Sequence, residues 1–180
     1  MLLLGASGSG KTTLLHLMAG ILAPGNGSVT VDGERFSDFS PPQRDAFRGQ
    51  YMGMIFQQHF FLKGLSVWEN LLAARRFAGL PDHKSYLKEL MELLDIAPLA
   101  RKKASALSQG EQQRFSIARA LANEPQVVLA DEPTSSLDDA NCDKFVQLMQ
   151  LTATTAGNPA WIIATHDQRL KNHFPQVYQL

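Results

Sequence analysis

The sequence predicts an α/β fold, a mostly parallel sheet flanked by helices with an α-helical subdomain inserted into it. Three observations carry that prediction. Short apolar runs suited to buried strands alternate with stretches of helical periodicity. The first of these runs passes through a glycine-rich loop directly into a helical pattern. From about Leu65 to Ala104, helical patterns follow one another with no strand between them, which interrupts the alternation. One domain over 1–180 is therefore expected, with 1–64 and 105–180 forming the α/β core and about 65–104 the helical subdomain.

The elements read in order as follows. Leu2 to Leu4 is the end of a buried strand and Gly5 to Gly10 a loop. A helix from Lys11 carries Leu14, Leu15, Leu17 and Met18 and stops at Gly20. Pro24-Gly25-Asn26-Gly27 is turn chemistry. Ser28 to Val31 alternates as a half-buried strand and ends in a tight turn at Asp32-Gly33. Ser40-Pro41-Pro42-Gln43 supplies the cap, proline and glutamine that start a short helix. Met52 to Phe56 is another apolar strand. Ser66-Val67-Trp68-Glu69 has the form of a capping box, and Leu87, Leu90, Met91 and Leu94 make a second amphipathic face. Beyond Ser108, Phe115, Ala118, Leu121 and Ala122 repeat at helical spacing. Val127 to Ala130 is a buried strand, Cys142 to Leu151 a helix, and Trp161 to Ala164 a further strand.

Composition narrows the function. A chain of 180 residues with 44% hydrophobic content can bury one sizeable core. Its 17 basic and 17 acidic residues cancel, so no nucleic acid partner is expected. Arg101-Lys102-Lys103, the one basic cluster, reads as a solvated helix end. The single Cys142 excludes an internal disulfide and suits a reducing compartment. No apolar run approaches the roughly 18 residues needed to cross a bilayer, and Met1 to Leu4 lacks a basic leader. A soluble, cytoplasmic chain is expected, with any membrane role supplied by a partner.

Gly5-Ala6-Ser7-Gly8-Ser9-Gly10-Lys11-Thr12 fits G-x-x-x-x-G-K-[ST] between a strand and a helix, which marks a P-loop NTPase. Its glycines let the backbone wrap around phosphate oxygens, and the helix N-terminus adds a favourable dipole. Lys11 is expected to reach the β- and γ-phosphates, and the Thr12 hydroxyl to bind Mg²⁺. Val127 to Ala130 then delivers Asp131 and Glu132 to the carboxyl end of a strand, where open α/β sheets bind ligands. Asp131 suits the metal, and Glu132 suits the task of orienting and deprotonating an attacking water. His166 closes the next strand on the same edge, where it can touch the γ-phosphate. Leu107 to Arg114 contains the Ser108–Glu111 capping box, and a capped helix start with a free serine hydroxyl is itself an anion site. It lies about a hundred residues from the first loop, so two molecules placed head to tail, rather than one, would bring both to one phosphate.

In these motifs the sequence closely resembles ABC-transporter nucleotide-binding domains, over essentially its whole length. Gly5 to Thr12 resembles their Walker A loop, Leu107 to Gln112 their signature and Val127 to Glu132 their Walker B strand. Ser136-Leu137-Asp138 resembles the D-loop, His166 the switch histidine, and Gln57 after Met54-Ile55-Phe56 the Q-loop glutamine. The resemblance implies a RecA-like core and an ATPase with ATP and Mg²⁺ as cofactors. It implies nucleotide contacts from Gly5, Ala6, Ser7, Gly8, Ser9, Gly10, Lys11, Thr12, Thr13 and Gln57, with Ser108 and Gly110 reaching the ATP of a partner subunit. Metal contacts fall to Thr12, Gln57 and Asp131, and catalysis to Glu132, His166 and Lys11. It implies a head-to-tail homodimer on a polytopic membrane permease subunit, peripheral on the inner face of the cell membrane. Gln57 and Phe60-Phe61-Leu62 would pass motion to that permease.

Gly110 to Arg114, Ala118 to Asn123 and Leu129 to Pro133 resemble in particular the lipoprotein-releasing and macrolide-efflux branch, while Ser135-Ser136 resembles importer cassettes as much. Gln109 stands where the family usually has glycine, which implies tuned function. The family's strands before Walker A, and the aromatic that stacks on adenine, have no counterpart here, and the chain ends inside an expected strand at Val177 to Leu180. A shortened chain with weak ATP binding and an unpaired sheet edge is the expectation; micromolar ATP binding by these 180 residues would refute it. The alternative is a soluble ABC-type ATPase acting on the ribosome or DNA. The DNA-acting members split their motifs with long coiled coils, and Thr12 to Ser108 shows no sustained heptads.

Overall fold

The structure, a computed structural model, describes the chain except residues 32, 136, 156 and 157 and the side chains of 153–155. Five parallel strands form one sheet in the order β2-β3-β4-β1-β5. They are β1 (Leu2–Leu4), β2 (Met52–Ile55), β3 (Val127–Asp131), β4 (Ala160–Thr165) and β5 (Val177–Gln179). The helices are α1 (Lys11–Met18), α2 (Pro41–Tyr51), α3 (Val67–Phe77), α4 (Lys84–Leu93), α5 (Gln109–Leu121) and α6 (Asp139–Thr155).

The strand composition follows from burial on both faces. Side chains alternate across a strand, so Leu2 and Leu4 enter one core while Leu3 enters the other. On β3, Val128 and Ala130 join the first core and Leu129 the second. The larger core is continuous with Val67, Leu71, Leu87, Leu90, Met91 and Leu94 of α3, α4 and the turn after them, through Phe115 and Ile117 of α5. The smaller gathers Leu15, Ala19 and Phe36 beneath α1. Both expected capping boxes form, at Ser66–Glu69 and Ser108–Glu111, and a third at Ser40–Gln43 starts α2, which runs to 11 residues and is not short.

One expected strand is absent. Ser28 to Val31 makes a single antiparallel bridge, Val31 to Glu34, and belongs to no sheet. A strand exists through its ladder, and no described strand lies beside this segment to supply one. Val29 and Val31 instead rest partly buried against the smaller core. Asp32 of the expected turn lies outside the described residues.

Sheet and helix approach closely at Gly53, where an added Cβ would lie 2.4 Å from the carbonyl oxygen of Ala120 on α5. The obstacle is backbone and cannot rotate away. Gly53→Ala is expected to destabilise the fold by about 1–3 kcal/mol, read as a lowered midpoint in urea unfolding. No helix among the described residues is long and apolar enough to cross a membrane.

Candidate functional site

Because the strands are parallel, β1, β3 and β4 end on one edge: Leu4 pairs with Thr165, and Asp131 with Ala164. The residues just past those ends are Gly5, Glu132 and His166. The topology therefore assembles the site at the carboxyl end of the sheet.

The loop after β1 turns through Gly8 and Gly10 at φ 83° and 96°, in the left-handed region that glycine enters freely. A Cβ on either would meet open space, so the requirement is conformational. No side chain caps α1, which leaves its first amides for a ligand. Lys11 is buried, and its ammonium donates to the carbonyls of Gly5 at 2.8 Å and Ala6 at 3.0 Å, with Glu132 Oε1 at 3.7 Å. It faces the inside of its own loop.

Glu132 leaves β3 with a left-handed φ of 48°, which a non-glycine residue keeps only when held from several sides. Its amide donates to Ala164 O at 2.8 Å. Its Oε2 accepts the Thr165 hydroxyl at 2.7 Å, and its Oε1 lies 2.9 Å from His166 Nδ1. The carboxylate is largely buried while the His166 ring is open to solvent. The carboxylate is thus held from two sides, and the imidazole beside it faces solvent.

Asp131 accepts the Thr12 hydroxyl on Oδ2 at 2.9 Å, while its Oδ1 is buried with no partner. Burial pushes its carboxyl above the usual aspartate range; the Thr12 bond opposes this and the Glu132 charge adds to it. A buried carboxylate oxygen without a donor, beside a threonine hydroxyl, fits a hard cation. No cluster of three or more His, Cys, Asp or Glu among the described residues could hold a metal alone. Such an ion would share its ligands with phosphates, as Mg²⁺ does.

Ser7, Gly8, Gly10, Lys11, Thr12, Thr13, Gln57, Glu132 and His166 line one cleft of about 340 Å³. Gln57 comes from the segment after β2. Of the expected nucleotide and catalytic residues, these nine meet in one place; Gly5, Ala6 and Ser9 lie in the same loop without lining the cleft, and Ser108 and Gly110 lie apart from it. Those two are exposed at the start of α5, and Gly110 lines a separate groove beside Arg114, Asn141 and Lys144. At that helix start, Ser108 N–H donates to Glu111 Oε2 at 2.6 Å, and the Lys102 ammonium stands 3.1 Å from the same oxygen. The Ser108 bond first, then Lys102, hold the Glu111 carboxyl below its usual range.

Sequence reasoning missed the residues that brace the site. The buried Thr165 hydroxyl holds Glu132. Thr134, also buried, donates to Asp167 Oδ2 at 2.6 Å, and Arg169 grips the same carboxylate. The available signal was a polar residue ending an apolar strand, at Thr165, directly before His166. Of Ser136-Leu137-Asp138, Ser136 lies outside the described residues; Asp138 Oδ1 accepts the Asn141 amide at 2.8 Å at the start of α6. The Arg169 guanidinium holds the Asp167 carboxyl down at about 2, against the ordinary 3.8. A lowered carboxylate stabilises the fold above its unfolded pKa and loses that contribution as pH falls through the folded one. Between pH 4 and pH 2, Asp167→Asn should therefore lose less stability than the parent chain, as read by chemical unfolding.

Residues 1–135 match the family described as ABC transporter. The lipoprotein-releasing system ATP-binding protein LolD of Hydrogenovibrio crunogenus is 41% identical over 181 residues, spanning 99% of this chain and 78% of that protein. The dimeric structure of MJ0796, described as a bacterial ABC transporter cassette, superposes with a TM-score of 0.87 at 29% identity, covering 99% of this chain and 79% of that one. A second dimeric structure of that cassette, in a post-hydrolysis state bound to ADP and Pi, superposes with the same TM-score of 0.87.

Proposed function

The chain belongs to the ABC transporter family of ATP-binding subunits, which hydrolyse ATP to energise transport, and from that premise we propose how its residues divide the work. The observation that carries the reading is the single cleft where Gly8, Lys11, Gln57, Glu132 and His166 converge from four separate parts of the sequence.

On nucleotide entry Lys11 turns from the carbonyls of Gly5 and Ala6 to the β- and γ-phosphates, while the amides of Gly8 to Thr13 cradle the phosphate oxygens. Thr12, Asp131 and Gln57 would hold Mg²⁺, which would offset phosphate charge. Glu132, fixed by Thr165, accepts a proton from the attacking water. The water oxygen bonds to the γ-phosphorus as the bond to the bridging oxygen breaks, and that electron pair leaves with ADP. His166 moves from Glu132 to the γ-phosphate and holds the water in line. Ser108 and Gly110 of a second copy close the cleft, which explains why one copy leaves them exposed and outside it.

The pair sits on a polytopic permease at the inner face of the cell membrane, and the relatives favour lipoprotein release as the work done. A groove of about 500 Å³ where Ile21, Phe56, Leu62 and Phe77 lie beside Asp45, Arg48 and Arg119, with Phe77 83% exposed, suits an amphipathic permease helix. Phe60 and Leu62 are exposed, whereas Phe61 packs on Phe115 at 4.5 Å between ring centroids and serves the core. The segment 65–104 acts as the helical subdomain that carries the signature helix toward the partner's ATP. Nothing found supports the alternative of action on ribosomes or DNA.

The test uses Ser108→Arg. It should retain binding of a fluorescent ADP analogue, because one copy binds ADP without Ser108, and lose turnover and the ATP-dependent dimer. Loss of ADP binding by the single copy would contradict a role for Ser108 across the interface.

A further inference from the structure

The loop between β3 and α6 is held by a side chain that nothing above uses in the chemistry. Arg169 lies in the 3-10 turn Gln168–His173 after β4. Its Nη1 donates to Asp139 Oδ1 at 2.7 Å, at the first residue of α6. Its Nη2 donates to the carbonyl of Leu137 at 3.1 Å and of Thr134 at 3.4 Å. Nε and Nη2 also meet the two oxygens of Asp167 at 2.9 and 2.7 Å. Thr134 ties back to Asp167 through its hydroxyl. One guanidinium thus joins both ends of the loop to the residue beside His166.

An ordinary surface ion pair contributes little. This one differs in kind, because a planar fork is shared by two carboxylates and two backbone carbonyls, which a point charge cannot match. The bracket also spans the two segments whose relative position sets the site. Glu132 lies two residues before Thr134, and Ser135 N–H and Oγ both donate to Glu132 O, at 3.3 and 3.1 Å. His166 lies one residue before Asp167. Movement of the loop alone would pull the Glu132 backbone out of its left-handed turn and away from His166. The loop is open to contact, with Ser135, Asp138 and Asp139 exposed, and Leu137 borders a gap beside Gln57 and Gln109.

We propose that Arg169 is a positioning residue that locks Thr134, Leu137 and Asp139 to the His166 segment, so that Glu132 and His166 keep their spacing when a second copy presses on these residues. The inference rests on the two-copy reading above. It makes the loop and the switch segment move as one unit, and it assigns to Arg169 an effect on the chemical step with none on the grip of a single copy on nucleotide.

The experiment compares the full chain with Arg169→Ala, Arg169→Lys and Ser108→Arg, measuring steady-state ATP turnover and fluorescent-ADP binding on the same preparations. Arg169→Ala should lower kcat by about ten- to a hundred-fold, the range for a misplaced catalytic group, with ADP affinity and the KM for ATP within about two-fold of the parent. Arg169→Lys keeps the charge and loses the fork, so its kcat should fall between the two. It keeps a cation beside Asp167 and Asp139 and carries the test if the alanine variant does not fold. Unchanged kcat in Arg169→Ala, or in Arg169→Lys if it alone folds, would overturn the proposal. So would an equal loss of ADP affinity and kcat, which marks general loosening of the fold. If Ser108→Arg keeps full turnover, the two-copy reading itself fails; if it is inactive while Arg169→Ala is normal, only the inference about Arg169 fails.

Discussion

Glu132→Gln should lower ATP turnover by about a hundred- to ten-thousand-fold, the range expected for loss of a general base. The replacement is isosteric, and its carbonyl oxygen can still accept the Thr165 hydroxyl that orients Glu132. What disappears is the basic oxygen facing His166 and the negative charge 3.7 Å from Lys11. Lys11 is then less restrained by its own chain, so ATP affinity should hold or rise. Single-turnover hydrolysis and fluorescent-nucleotide binding separate the two effects. A rate within about ten-fold of the parent would mean that another group takes the proton.

Lys11→Ala should remove turnover altogether and weaken ADP binding by about ten- to a hundred-fold, the worth of a charge-assisted bond to phosphate. The loss has two parts. The β- and γ-phosphates lose their cation, and Glu132 loses the only ammonium near it among the described residues. Lys11 also cross-braces the loop through Gly5 and Ala6, so the empty loop should loosen as well. Arginine at this position should fail to restore activity, because its planar fork does not fit a buried site shaped for one ammonium. Titration with fluorescent ADP measures the effect, and unchanged affinity would contradict the assigned role.

Much of the site was legible because its chemistry depends on local spacing. Gly8 and Gly10 announce left-handed backbone, and the apolar run Val127 to Ala130 can end in two carboxylates only where a strand emerges. The parallel sheet was legible for a related reason: burial on both faces makes the inner strands β1, β3 and β4 read as apolar runs with little polar alternation to mislead. The failures share the opposite cause. Ser28 to Val31 has the alternation of a strand, but a strand is made by its neighbour, which periodicity does not reveal. Thr165, Thr134 and Arg169 act through contacts between the ends of β3 and β4, which lie some thirty residues apart in sequence. Phe60, Phe61 and Leu62 look alike in sequence, and only the approach of Phe115 turns one inward and leaves the other two outside.

The central claim is that one copy carries half a site and that ATP joins it to the signature helix of another. Sedimentation of Glu132→Gln with and without Mg-ATP tests this directly, since the variant binds nucleotide and does not consume it. The account predicts single copies without nucleotide, pairs with Mg-ATP, and single copies again when Ser108→Arg is added to the same chain. Single copies at saturating ATP, or pairs that persist despite Ser108→Arg, would contradict it.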